Sequence, residues 1–561
     1  MAGGHDSSLG AVAELRQQAG GKYTGVRALW SNISVLFIAL FASFGGLLYG
    51  YQQGVLGQAL VMSSFQKSFP DIANSSGAQG WLTSILQLGG WVGALSAGVL
   101  CEVFSRKHTI FGGSVWVILG SYLTAGARSA GFLYAGRFFT GLGVGTLSAT
   151  GPLYNAELAP PEIRGLLVAM QQLATTLGIM SAYWICYGTN YIGGTGDGQS
   201  NMAWRLPLII QGLPAIVLAI GVWFLPYSPR LLVNRGRDDD ALHTLSRLRR
   251  LPPDDRLVQI EFLEIKAESV FESRNLDKKF SHLASKAGGN RLLREFAQYS
   301  LIFRSKDSFK RVALGGLVMF FQQWSGIDSI IYYAPIVFQD LGLTNSTVSL
   351  LATGVVGIIN VVTTIPAIFI IDRVGRKPLL ICGSTGMFLC QLITGILVAK
   401  FQANWPAHTA GGWAAVVMIW LYIFNFAYSW GPASWTLIAE IFPLSIRAKG
   451  TSISASSNWM NNFIIAFITP PMLSSISWGT YIFFCVWCAL GGLFILFFFP
   501  ETKGKTLEEM DIVFGATTSS DDTAALAAIQ DEIGLTAILH GHNGSTKADE
   551  VPSQEHADFG V

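Results

Sequence analysis

Charge is scarce in this chain. Only 13% of its 561 residues are Asp, Glu, Lys or Arg, against about 25% in an ordinary soluble domain. Net charge at pH 7 is +2, so no basic footprint for nucleic acid stands out. Cysteine is sparse too. Cys101, Cys186, Cys382, Cys390, Cys485 and Cys488 are scattered through apolar stretches and read as small buried hydrophobes, not a disulfide framework. The eight histidines show no ligand spacing except His540-Gly541-His542 in a polar tail, so neither a metal nor a cofactor is expected. No nucleophile–base pair or phosphate loop is visible, which argues against an enzyme. Residues 1–28 are polar and Gly-rich. They lack the apolar core and cleavage site of a signal peptide, so the first apolar segment reads as an uncleaved anchor.

What is present is apolar length. A membrane-spanning helix needs about 20 mostly apolar residues. Segments 34–57, 79–101, 109–128, 131–154, 165–188, 205–225, 312–338, 348–371, 378–400, 412–439, 449–470 and 477–499 qualify. The expectation is an all-α membrane protein with twelve transmembrane helices in two six-helix halves. Residues 1–33 form an N-terminal segment, 34–225 and 312–499 the halves, 226–311 a linker and 500–561 a tail. In the linker, Leu242, Leu245, Leu248 and Leu251 recur at helical spacing, and Ile260, Phe262, Leu263 and Ile265 sit among charges. That pattern predicts amphipathic helices. The Ser/Asp/Ala-rich tail from about 516 is expected to be mostly disordered.

Arg106, Lys107, Arg164, Arg373, Arg376, Lys377, Arg447 and Lys449 lie in loops after even-numbered spans. Only Lys67, Arg128, Arg205 and Lys400 lie after odd-numbered ones. Basic residues stay inside, so both termini and the linker are expected to be cytoplasmic. The sequons at Asn74 and Asn345 then face outward and can accept glycans, whereas those at Asn32 and Asn543 cannot.

The halves echo each other. Glu102, Arg106 and Lys107 after the second span match Asp372, Arg376 and Lys377 after the eighth. Glu157 precedes Arg164 after the fourth span as Glu440 precedes Arg447 after the tenth. Each half ends at a Pro, in Pro226-Tyr227-Ser228-Pro229-Arg230 and Pro500-Glu501-Thr502-Lys503-Gly504. Repeated halves mark transporters, with the site between them near the midplane. A guanidinium offers a carboxylate a two-pronged fork. Pairs of these residues bridging the halves would hold the inner side shut: Glu102, Arg106, Glu157, Arg164, Arg230, Asp372, Arg376, Glu440 and Arg447. Control of topology alone is the plainer alternative.

The densest polar load in an apolar span is Gln322-Gln323-Trp324-Ser325-Gly326-Ile327-Asp328, followed by Tyr332 and Tyr333. An ionised Asp at a bilayer centre costs about 2.5–3.5 kcal/mol on insertion scales, so Asp328 is expected to face a cavity or a partner. At about 100° per residue an unbroken helix cannot aim Gln322, Gln323 and Asp328 at one ligand, and a break is expected at Ser325-Gly326.

These residues, with Gly45-Gly-Leu-Leu-Tyr-Gly50, Gly136-Arg137, Gly141-x-Gly143-x-Gly145, Pro152 to Gly165, Asp372 to Lys377, Trp430-Gly-Pro432 with Trp435, and Pro500 to Gly504, resemble the sugar porters of the major facilitator superfamily. The likeness runs over about 35–512 and is to the yeast and filamentous-fungal hexose and pentose transporters. It implies the major facilitator fold, and a monomer in the plasma membrane that carries a monosaccharide by alternating access. It implies sugar ligands at Gln172, Gln322, Gln323, Asp328, Asn360, Trp435 and Asn462, with Tyr332 and Tyr333 as an outer gate. Amides both donate and accept, as sugar hydroxyls do. Each of these amides can instead be glue between helices.

Five positions depart from the family pattern. Gln52 stands where proton-coupled members carry Asp, and Gln cannot exchange a proton. Asp328 stands where the family usually has Asn, which makes it the candidate for proton coupling. Tyr227 replaces a Glu, and Ser105 and Val103 replace a Gly and an Arg. Proton symport and facilitated diffusion therefore both stay open. A non-transporting sugar sensor, or a carrier of a polyol, disaccharide or sugar acid, are the alternatives.

Overall fold

A computed structural model describes residues 38, 40–41, 43–158, 164–279, 306–343, 345–442, 447–502 and 518–539. The 1–33 segment, the His540–His542 pair and the sequons at Asn32 and Asn543 lie outside them. The side chains of Arg164, Asp372 and Arg447 are likewise outside those described.

Among the described residues the chain makes twelve helical passes. The first six are Phe44–Leu60, Ser76–Val103, Arg106–Ala125, Ala130–Leu158, Arg164–Thr189, and the pair Met202–Ile210 and Gly212–Gly221. The seventh is Lys306–Trp324 with Ile327–Asp340, and the eighth and ninth are Ser346–Val374 and Arg376–Phe401. The tenth is Thr409–Tyr428 with Trp430–Glu440, and the last two are Arg447–Ile476 and Trp478–Phe498. Six stretches are long and apolar enough to cross a membrane on their own, those of the second, sixth, eighth, ninth, tenth and twelfth passes. The seventh is broken in two, and the eleventh is rich in Ser and Asn.

The halves share one packing scheme. The first pass lies on the fifth as the seventh lies on the eleventh, and the third on the fourth as the ninth on the tenth. Across the seam, the second packs on the eleventh and the eighth on the fifth. Glycine makes the closest approaches possible. A Cβ on Gly50 would fall on the carbonyl of Thr175, and one on Gly57 on that of Tyr332.

Proline shapes part of the seam between the halves. A helical proline has no N–H for the carbonyl four residues back. Pro335 thus frees Ile331 O, which accepts from Tyr183 Oη at 2.7 Å. Pro470 frees Ala466 O, which accepts from Tyr333 Oη at 2.7 Å. Sequence-imposed gaps in two helices become tertiary bonds.

The turn before the third pass and the turn before the ninth are counterparts. Ser105 and Gly375 begin these helices with φ of 149° and 108°. Past Pro500, the Glu501 carboxylate accepts from the backbone N–H of Arg376 and Lys377 at 3.1 and 3.0 Å. That is an acid at a helix N-terminus, where orphan donors and the dipole favour it. Past Pro226 stands Tyr227 instead. Lys107 Nζ lies 5.2 Å from its ring and donates to Trp223 O at 2.7 Å. Just before each proline an apolar pair is exposed: Trp223 and Phe224, then Phe497 and Phe498.

The described residues 229–279 and 520–539 belong to a second compact unit. Its helices Pro229–Asn234, Asp238–Arg249 and Arg256–Lys279 enclose Leu232, Val233, Ala241, Leu245, Val258 and Phe262, as the leucine spacing predicts. The described part of the tail departs from the expectation of disorder, because Thr518–Glu532 and Leu535–Leu539 are helical. Ala-rich Ala524–Ile529 has high helix propensity, and its apolar face has a partner. Ile529 packs with Ala267 and Phe271, and Leu535 with Ile260. Arg274 forks onto Glu532 at 2.6 and 2.7 Å and holds that carboxyl below the usual carboxylate range. Among the cysteines, Cys382 is exposed and the other five are buried, all as free thiols.

Candidate substrate site

The seventh pass breaks where expected. Its first helix ends at Trp324, and Gly326 adopts φ 90°, ψ 14° before the second begins. Glycine is required there for its left-handed backbone and because a Cβ would stand 2.6 Å from the Phe484 ring. The free turn is held by Tyr422 Oη, which donates to Ser325 O at 2.9 Å.

The break places Asp328 at the seam, where it is 3% exposed. Gln53 Nε2, from the first pass, donates to Oδ1 at 3.3 Å. Asn462 Nδ2, from the eleventh, donates to Oδ2 at 2.6 Å. The Gln323 amide also interacts with this carboxyl. Tyr332, one helical turn on, donates to Asn462 Oδ1 at 2.9 Å and accepts from Gln53 Nε2 at 3.3 Å. With the Gln87 amide oriented to satisfy both its ends, its oxygen lies 2.9 Å from the same hydroxyl. One carboxyl and one phenol thus tie together the first, second, seventh and eleventh passes.

The other expected ligands divide. Gln323 is buried, and its Oε1 has no partner. Asn360 is buried on the eighth pass. Gln172 is half-buried on the fifth, its amide 3.8 Å from the space beside Gly431 of the tenth. Trp435 is exposed. Gln322 turns away from Asp328. It donates to Trp430 O at 2.9 Å and accepts from Asn458 Nδ2 at 2.7 Å. Helix-to-helix bonding therefore occupies both its ends.

Gln52 accepts from Arg137 at 3.1 Å. Arg137 is buried, and its Nε has no partner. No carboxylate is paired with it among the described side chains. The acid that the family pattern places on the first pass is thus missing here, while an acid stands on the seventh.

Gln53, Gln87, Thr83 and Tyr183 of the first half bond to the seventh pass, and Trp91 Nε1 donates to Ser456 Oγ at 2.7 Å. Tyr332 and Tyr333 are both buried. Several charged pairs of the passes, among the described side chains, form within one half. Arg106 forks onto Glu157 at 2.7 and 2.9 Å and meets Glu102 at 2.8 Å, all in the first half. Arg376 meets Glu440 at 2.6 Å, and Thr502 reaches the same carboxylate at 2.7 Å, all in the second half. Arg230 pairs with Glu268 at 3.0 Å within the linker unit. Arg106 and Arg376 begin helices that pack inside their own half, so the nearest carboxylates belong to that half.

Sequence reasoning missed Gln53, Gln87, Asn458 and Tyr183. The adjacent amides of Gln52-Gln53 were a visible signal. The others carry none, since Asn and Gln are common glue between membrane helices.

Comparison with known proteins follows this geometry. The model of the family described as "Sugar (and other) transporter" matches residues 38–514. A probable quinate permease of Aspergillus fumigatus is 34% identical over 496 residues, covering 86% of this chain and 88% of that one. Sugar transport protein MST6 of Oryza sativa subsp. japonica is 34% identical over 501 residues, with the same shares covered. Among solved structures, the proton:xylose symporter XylE of E. coli bound to 6-bromo-6-deoxy-D-glucose superposes with a TM-score of 0.68 at 29% identity. That match covers 86% of this chain and 100% of the other.

Proposed function

This chain belongs to the sugar transporter family of the major facilitator superfamily, and from that membership we propose that it carries a monosaccharide, hexose or pentose, by alternating access. It is a multi-pass membrane carrier. One observation carries the finer reading: Gln53, Asp328 and Asn462 bring three passes from both halves to one polar point at the seam. Gln323 and Asn360, both buried, add amides that can give and take hydrogen bonds with sugar hydroxyls. Gln172 and Trp435 approach from the fifth and tenth passes. Tyr332 and Tyr333 close the outer side. The ion pairs at the opposite end stiffen each half internally, so the halves rock as bodies. The carrier works as a monomer in the plasma membrane with both termini in the cytoplasm.

The proton, where one moves with the sugar, is carried on Asp328 and not on the first pass. Gln52 has no proton to exchange, and Asp328 is the carboxyl in the seam network. Uptake in a host stripped of its own hexose carriers tests this. Labelled hexose or pentose should accumulate, and Asp328→Asn should fold but show an altered dependence on external pH. Binding without uptake would make the chain a sensor. Uptake indifferent to external pH and to a protonophore would leave facilitated diffusion.

A further inference from the structure

We propose that Asp328 selects ligands by charge, so that the carrier takes protonated amino sugars alongside neutral monosaccharides and rejects sugar acids. The inference rests on the sugar-carrier reading and names a further substrate class for the same site.

The argument is one of unmatched charge. Asp328 is buried, and its described hydrogen-bond donors are the neutral amides of Gln53 and Asn462. The Gln323 amide, also neutral, engages the same carboxyl. The ionisable side chains that act on it, from the first, fifth, seventh and tenth passes, are the phenols of Tyr49, Tyr183, Tyr332 and Tyr422. All are neutral near pH 7. Among the described side chains no cation is paired with the carboxyl. Arg137, the buried guanidinium of the outer half, is engaged by Gln52 instead. A buried carboxylate without a counter-charge is costly, so a ligand that brings one binds with an advantage over a ligand that does not.

The geometry leaves room for it. An ionised carboxylate has about four lone-pair sites. Gln53 and Asn462 each use one, on opposite oxygens, and the Gln323 amide uses a third, which leaves one for a ligand. An ammonium on a sugar ring replaces a single hydroxyl and presents three donors. The rest of the ring meets the amides as an unmodified sugar does. A ligand carboxylate at the same place would set two like charges together in a medium of low dielectric. The relatives named quinate permease are about a third identical, and this carboxyl argues that their named ligand is not shared. The charge at position 328 adds attraction to one ligand class and repulsion to another, the two components of specificity.

The experiment uses the full chain in a host without endogenous hexose uptake. Labelled glucose uptake is competed with glucosamine, N-acetylglucosamine and quinate, for the wild type and for Asp328→Asn and Asp328→Glu. Glucosamine should compete well where its amine is protonated and lose that strength as external pH rises through the amine's titration. N-acetylglucosamine, which lacks the charge, should compete roughly tenfold less well, and quinate should not compete. Asp328→Asn should lose the preference for glucosamine over N-acetylglucosamine, and Asp328→Glu should keep part of it. If Asp328→Asn does not reach the membrane, the wild-type comparison of the two amino sugars across pH decides alone. Equal competition by both, at every pH, overturns the inference. So does an unchanged ratio in a folded Asp328→Asn. No glucose uptake by wild-type protein at the membrane overturns the carrier reading itself, a distinguishable result.

Discussion

The two counterpart turns, before the third pass and before the ninth, solve one problem with different chemistry. Both reverse the chain into a helix that begins Arg-Lys, and both arginines reach a carboxylate of their own half. The ninth pass begins at Gly375, in a backbone conformation that suits glycine, and Glu501 covers the exposed N–H groups. The third begins at Ser105, in the positive-φ region that side chains disfavour. There the Ser105 hydroxyl accepts from His108 N at 3.2 Å, and an aromatic ring under Lys107 stands in the place of the acid. The second half keeps the charged solution. The first relies on a strained cap and a cation over an aromatic. The position in the fold constrains what must be satisfied, not which side chain satisfies it.

Four substitutions would break or sharpen that contrast, each read by thermal unfolding of the purified carrier in detergent. The largest effect is expected from Glu157→Gln, which leaves the 3% exposed Arg106 without its two-pronged partner. Breaking a buried pair costs up to about 3–5 kcal/mol, and less here because Glu102 still meets Arg106 at 2.8 Å; a melting point near that of the wild type would remove the pair from the account. Gly375→Ala comes next. It strains the backbone and sets a Cβ 2.9 Å from the Glu501 carboxylate, for a loss of about 1–3 kcal/mol. Ser105→Gly should move the other way. It relieves the φ of 149° and gives up a cap worth only a few tenths when glycine replaces serine, for a net gain of about 1 kcal/mol. Smallest is Tyr227→Glu, which gives the first half the acid of the second. The new N-terminal charge and the lost ring contact with Lys107 are each worth roughly 0.5–1 kcal/mol, so stability should scarcely change. A large gain there would mean that the aromatic solution is a weak substitute.

Much of this was legible in the residues. Apolar runs located the passes, although the seventh and eleventh are too broken or too polar to stand alone as spans. Matched motifs predicted the repeat, which the packing follows. Gly326 between two amides and a carboxyl announced the break. The partners of Asp328 were not legible. Gln53 lies 275 residues away, and helical periodicity carries no information on which faces meet across a seam. The same limit applies to Arg106, since spacing identifies a charge and its neighbours but not the half that supplies its mate. The tail was misread from its composition. Ser and Asp suggested disorder, while Ala524 to Ile529 held a helical stripe whose partner, Phe271, lies in the linker.

The exposed pairs Trp223–Phe224 and Phe497–Phe498 end the sixth and twelfth passes at equivalent points of the repeat. Trp is enriched at the boundary between acyl chains and headgroups, and the three Phe extend that exposed apolar surface. With one pair on each half, the alternating-access cycle proposed above would move both against the bilayer. Hydrophobic mismatch costs fractions of a kcal/mol per ångström, and in that cycle it would fall on both halves at once. The transport rate of this carrier should accordingly depend on the acyl-chain length of the lipid around it, even with every sugar contact left intact.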